Sequence, residues 1–211
     1  MGARTRVVIA EDYKLVAELC KSLLEKDYEV SVVGDGHALI SFATTSRPDV
    51  AIVDINLPLL NGLDAGQRIK KQIPSLKLIY LTVSSDPDIV AEAFRRGASA
   101  YLLKTCAASE LELAVRAVLR GNRFVSRGIP KEVSDYPALI SSEQSTHRRL
   151  TERQVEVLQL LAEGRQMKEI GGILKMATRT VAFHKYRIME ELGIKTSAEL
   201  VRYAIRLRMV A

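Results

Sequence analysis

Cysteine and histidine are scarce in this chain. Its 211 residues include two cysteines, Cys20 and Cys106, and three histidines. Neither cysteine has a CxxC partner, so neither a thiolate metal site nor a disulfide framework is expected. Cys20 falls on an apolar helical stripe and reads as core. No apolar run reaches the length of a membrane-spanning helix, and no basic-then-apolar segment opens the chain. A cytoplasmic protein with no membrane partner is expected. What is present is an ordinary globular composition, 47% hydrophobic, at a length that fits one domain or two.

Charge is unevenly placed. The chain carries a net +6. Residues 148–211 hold 13 Lys and Arg against 7 Asp and Glu, whereas residues 1–124 hold 16 against 15. A compact basic module beside a near-neutral one points to a polyanion partner for the former.

Residues 1–121 alternate apolar runs and amphipathic stretches. Val7–Ala10, Tyr28–Val33, Val50–Val53, Leu78–Leu81 and Ala100–Leu103 read as strands. The third is apolar throughout, as befits a strand buried on both faces. Leu15, Leu19 and Leu23 define the expected inner face of the first helix, widened by Val16, Cys20 and Leu24. Asn61-Gly62 precedes a helix near residues 64–73, and Gly97 and Gly121 read as helix stops. Five strands alternating with five helices imply an α/β fold: a doubly wound, flavodoxin-like five-stranded parallel sheet with helices on both faces. Residues 122–147 show no lasting period and read as a linker with a short helical turn. Residues 148–211 read as an all-α module of four helices. Thr151-Glu152-Arg153-Gln154 and Thr196-Ser197-Ala198-Glu199 are capping boxes for its first and last helices. Its third helix spans about Thr178 to Leu192, with Val181, His184, Ile188 and Leu192 inward.

Polar residues end four of the expected strands: Glu11 and Asp12, Asp54, Thr82, and Lys104. In a parallel sheet those ends share one edge, where open α/β folds place ligand sites. Three carboxylates gathered there repel unless a cation neutralises them. An all-oxygen donor set with few protein ligands suits Mg²⁺. Asp54 ends the central strand and is best placed to accept a phosphoryl group as an acyl phosphate. Lys104 and Thr82 then face the phosphoryl oxygens with an ammonium and a hydroxyl. An aspartyl phosphatase of the haloacid dehalogenase type would want a second Asp two residues after the nucleophile. Asn56 stands there instead. A domain that signals without taking phosphate is the other alternative.

Residues 6–120 resemble the receiver domain of bacterial two-component response regulators, through Glu11-Asp12, Asp54 followed by Leu57-Pro58 and Gly62, Thr82, and Lys104. The resemblance implies that Asp54 is phosphorylated from a sensor histidine kinase. It implies Mg²⁺ held by Asp12, Asp54, the Asn56 carbonyl and, through water, Glu11. It also implies a switch pair of Thr82 and Tyr101, with Tyr101 turning inward as Thr82 moves toward the phosphoryl group.

Residues 148–211 resemble the helix-turn-helix domain of the LuxR/NarL/FixJ class. Leu150–Leu158, Ala162-Glu163-Gly164, Lys168-Glu169-Ile170, Thr180-Val181, His184 and Leu192-Gly193-Ile194 carry the likeness. It implies that the helix from Thr178 enters the major groove of double-stranded DNA. Lys168, Arg179, Lys185, Arg187 and Lys195 are then phosphate contacts, with Thr180 beside them. Ala182, Phe183 and Tyr186 face the groove, Ala182 where the family often has Lys. Ala177 replaces a usual capping Ser, so Thr178 is expected to cap. Gly171-Gly172 lowers helix propensity by roughly 1 kcal/mol per Gly. The last helix is expected to pair two copies through Leu200, Tyr203 and Leu207, giving a homodimer when phosphorylated. A phosphorylation-controlled transcription regulator, not an enzyme, is the expected whole.

Overall fold

A computed structural model describes residues 4–129, 150–207 and 209–210. The chain divides into two compact units, Met1–Ser142 and Glu143–Ala211. The linker turn expected within residues 122–147 lies outside the described residues from 130 onward.

The N-terminal unit alternates strand and helix as expected. Its strands are β1 (Arg6–Ala10), β2 (Glu29–Val33), β3 (Val50–Asp54), β4 (Lys77–Thr82), β5 (Ala100–Leu103) and β6 (Phe124–Val125). Its helices are α1 (Lys14–Leu24), α2 (Gly36–Ser46), α3 (Gly62–Gln72), α4 (Pro87–Arg95) and α5 (Ala107–Leu119), with a 3₁₀ turn at Lys104–Cys106. All strands are parallel, in the order β2-β1-β3-β4-β5-β6. The order reverses between β1 and β3, the crevice where such sheets bind ligands.

Among the described residues the sheet has six strands, not five. Phe124 and Val125 pair with Ala100 and Tyr101, inside the stretch read as linker. Two residues are too few to show a period, so the sequence pattern missed them. Glu110 of α5 holds the chain that follows: the Ser126 hydroxyl donates to its carboxylate, and Ile129 is buried.

Strand side chains alternate between two cores. Val8, Ala10, Ala51, Val53, Leu78 and Tyr80 pack with Leu39, Ile69 and Val90 of α2, α3 and α4. Val7, Ile9, Val50, Ile52, Ile79 and Leu81 pack with Cys20, Leu24, Leu111 and Val115 of α1 and α5. The inward face of α1 is Ala17, Cys20 and Leu24, with Val16 and Leu23 packed beside them; Leu15 and Leu19 of the expected line do not face the core. Leu15 is 85% exposed and Leu19 also faces solvent. Two apolar lines, Leu15–Leu19–Leu23 and Val16–Cys20–Leu24, lay on adjacent faces of this helix, and periodicity alone could not rank them.

The C-terminal unit has, among the described residues, α6 (Glu152–Ala162), α7 (Met167–Ile173), α8 (Thr178–Leu192) and α9 (Ser197–Arg206). Both expected capping boxes form, Thr151 with Gln154 and Thr196 with Glu199. Helix α6 packs against the other three and is buried continuously from Gln154 to Leu160. The N-cap of α8 is Ala177, with no side-chain cap. Thr178 is already helical and does not cap it. Gly171 is a fitted position as well as a flexible one: a Cβ there would come within 2.7 Å of the Met176 carbonyl oxygen. His184 is half-buried with its ring edge-on to Phe183 at 5.9 Å.

Candidate functional site

The ladders carry Glu11, Asp54, Thr82 and Lys104 to one edge. Ala10 pairs with Val53, Asp54 with Leu81, and Thr82 with Leu103, so each polar residue follows or ends a strand in register with its neighbour. Carboxylate oxygens of Glu11, Asp12 and Asp54 lie within 4.8 Å of one another. Glu11 and Asp54 are buried, and Asp12 is exposed. Lys104 Nζ reaches between the buried pair, 2.9 Å from Asp54 Oδ2 and 2.8 Å from Glu11 Oε2. The ring of exposed Tyr13 has its centre 5.9 Å from the same ammonium.

Burial raises the Glu11 carboxyl above its ordinary range, and the Asp54 charge adds to the shift although the Lys104 hydrogen bond opposes it. Burial alone would lower Lys104, but the Glu11 hydrogen bond and the Asp54 charge outweigh it and hold the ammonium charged. Burial, with help from Glu11, pushes the Cys20 thiol up to about 11, so it stays protonated and inert. Three carboxylates with one ammonium leave uncompensated negative charge. A clustered all-oxygen donor set of this kind fits a hard divalent cation such as Mg²⁺.

The loop after β3 is built around Asp54. Its Oδ1 accepts from the Asn56 N–H at 3.2 Å. Gly62 opens α3 beneath it, where a Cβ would lie 1.9 Å from the Asp54 carbonyl oxygen. Asn61 caps that helix by accepting from the Asp64 N–H at 2.9 Å. The helix therefore starts two residues earlier than the sequence pattern suggested.

Thr82 is buried, and its Oγ1 accepts from the Ser84 N–H at 3.2 Å. Tyr101 is fully buried and its hydroxyl donates to the Ser84 carbonyl at 2.9 Å. Tyr101 is therefore turned inward in this structure. Ser84 links the two members of the pair and was missed in the sequence. Ser84 acts through its backbone, and the available signal was Thr82 itself, whose hydroxyl accepts from the N–H two residues on.

Residues 7–116 match the response regulator receiver domain, and residues 148–204 match the luxR family of bacterial regulatory proteins. The chain belongs to the response regulators. Among similar proteins is the transcriptional regulatory protein YxjL of Bacillus subtilis, 32% identical over 96% of each chain. Response regulator UvrY of Escherichia coli is 28% identical over 95% of this chain and 93% of its own length. RcsB of Salmonella enterica serovar Typhimurium, solved on a promoter in the presence of a phosphomimetic, aligns over 95% of this chain and 98% of that one. Its TM-score is 0.55 at 29% identity.

The receiver of this response regulator is thus the unit that holds the acidic edge. Its luxR-family unit carries the basic helices. There Thr178, Arg179, Phe183, Tyr186 and Arg187 of α8 are exposed, as are Lys168 and Lys195. Thr180, Ala182 and Lys185 are half-buried. Two of the three expected pairing residues are buried: Leu200 is 1% and Tyr203 9% exposed. Both pack inside their own unit because they share the inner face of α9 with Ala204. Leu207 is half-buried, and Ile205 is a large apolar residue of α9 that is exposed. No helix among the described residues is long and apolar enough to cross a membrane.

Proposed function

We propose that this response regulator is a DNA-binding transcription regulator controlled by phosphorylation of Asp54. The observation that carries the reading is the joint placement of Lys104, Glu11 and Asp54 at one sheet edge, with Lys104 Nζ 2.9 Å from the Asp54 carboxylate. Asp54 Oδ2 attacks the phosphorus of a kinase phosphohistidine. The P–N bond breaks, its electron pair leaves with the imidazole nitrogen, and that nitrogen takes up a proton. Mg²⁺ held by Glu11, Asp12, Asp54 and the Asn56 carbonyl would supply charge neutralisation to the phosphoryl oxygens. Lys104 exchanges its contact with Asp54 for one with the phosphoryl group. The Thr82 hydroxyl, now an acceptor from Ser84, rotates to donate to a phosphoryl oxygen.

As the Thr82 side chain moves toward the phosphoryl group its oxygen leaves the Ser84 N–H, while the Ser84 carbonyl still holds Tyr101. The switch is then a loosening or re-registering of the Thr82–Ser84–Tyr101 chain, biasing an equilibrium between receiver states. The same β5 backbone holds the residues beyond β6, since the Ser126 N–H donates to the Tyr101 carbonyl at 2.9 Å. The start of the segment leading to the DNA-binding unit is thereby tied to the switch strand. Lys168, Arg179, Lys185, Arg187 and Lys195 serve as phosphate contacts with α8 in the major groove. RcsB on its promoter supports this reading. Phosphorylation pairs two copies, which then read two half-sites.

Acetyl phosphate with Mg²⁺ tests the assignment. Wild type is expected to take label in an acyl phosphate that hydroxylamine releases, and Asp54→Ala to take none. Equal labelling of the two forms would overturn the phosphoacceptor.

A further inference from the structure

The exposed side of α8 has an unusual chemistry for a helix in a major groove. At about 100° per residue, Arg179, Ala182, Phe183, Tyr186 and Glu190 share one side. Val181 and Ile188 lie opposite and are buried. Phe183 is 60% and Tyr186 67% exposed. Two aromatic rings left in water on a charged unit are costly unless something covers them. The surroundings say what does: Arg179, Lys185 and Arg187 flank the rings, and residues 148–211 hold 13 basic against 7 acidic residues. A polyanion with an apolar feature at its base edges fits that combination.

The middle of this side offers no amide, carboxylate or cation. Ala182 and Phe183 cannot make the bidentate pairs that distinguish guanine or adenine. Arg187 is paired with Glu190 at 2.7 Å, a turn beyond Phe183. The Phe183 ring is steadied by His184, edge-on at 5.9 Å. The one apolar feature that the major groove offers is the thymine C5-methyl group. Resting on the DNA-binding reading above, we propose that this regulator selects its duplex through thymine methyl groups, with Phe183 and Tyr186 as the specificity-determining contacts. Arg179, at the N-terminal end of α8, remains a phosphate contact that positions the helix beside them, and the Tyr186 hydroxyl reaches a neighbouring acceptor.

The test uses the full chain with acetyl phosphate and Mg²⁺. Duplexes are selected from a random pool, and Kd is measured by fluorescence anisotropy at fixed salt. The probes are the selected duplex, the same duplex with deoxyuridine replacing each thymine in turn, and an unselected duplex. Deoxyuridine lacks only the methyl group. Each contacted thymine is expected to cost roughly fourfold in Kd when replaced, the equivalent of one buried methylene-sized group. Phe183→Ala and Tyr186→Ala should lose most of that difference while keeping the salt dependence of wild type. Both side chains stand in solvent, so folding is not at stake, and the deoxyuridine probe needs no variant at all. Equal affinity for thymine and deoxyuridine duplexes would overturn the proposal while leaving DNA binding intact. So would salt-dependent binding with no enrichment of any sequence. Failure to bind any duplex at low salt would instead overturn the DNA-binding reading and this inference with it.

Discussion

In the receiver, Glu11, Asp54 and Thr82 are buried side by side at a sheet edge, and one lysine holds two of them. In the luxR-family unit, Arg179, Phe183 and Tyr186 stand in solvent along one helix. The buried cluster works on a small group that comes to it, so its chemistry depends on fitted neighbours and low dielectric. The exposed helix works on a large partner, and its chemistry depends on which side chains share an arc. Substitutions in the first region should therefore act on fold and site together, and those in the second on recognition alone.

The sharpest way to break that contrast is Gly62→Ala. A methyl group 1.9 Å from the Asp54 carbonyl oxygen cannot be absorbed by backbone on both sides. A loss of about 4 kcal/mol or more is expected, together with loss of acetyl-phosphate labelling, read by calorimetry of the receiver transition. Lys104→Met comes next. It leaves two buried carboxylates without their ammonium, and about 3 kcal/mol should be lost in metal-free buffer. Added Mg²⁺ should restore part of that loss, and no restoration would argue against a cation at this edge.

Two adjacent glycines make the comparison inside the second unit. Gly171→Ala drives a Cβ to 2.7 Å from the Met176 carbonyl and should cost about 2 kcal/mol. Gly172 has open space around it, so Gly172→Ala should gain roughly 0.5–1 kcal/mol. Thermal melts of both variants separate a fitted glycine from a merely flexible one. The smallest effect is expected at Glu11. Because its carboxyl is raised in the folded protein, its favourable contribution is present below the ordinary 4.5 and lost as pH climbs through the raised value. Glu11→Gln should therefore melt about 3 °C higher than wild type at neutral pH without metal, and the advantage should vanish below pH 4.5.

Much of the receiver was legible because a parallel sheet converts sequence into convergence. An apolar run ending in Glu, Asp, Thr or Lys says where that residue stands, and the ladders set them in adjacent positions. What stayed hidden depended on three dimensions. Phe124 and Val125 form a strand only because β5 offers an open edge. The choice between Leu19 and Cys20 as the inward residue depends on which side of α1 meets the sheet and α5. Ser84 matters because Tyr101, seventeen residues later, meets its carbonyl. In the second unit, capping boxes and helix stops were written locally and were readable. The burial of Tyr203 was not, since an apolar ring with a polar hydroxyl fits either side of α9.

The central claim is that charge placed on Asp54 changes how the C-terminal unit meets DNA. The direct measurement is the Kd of the full chain for one duplex, with and without acetyl phosphate and Mg²⁺, in wild type and Asp54→Ala. About tenfold tightening in wild type alone is the result expected, a coupling of roughly 1.4 kcal/mol. Equal affinity in all four conditions, with Asp54 shown to be labelled, would contradict it.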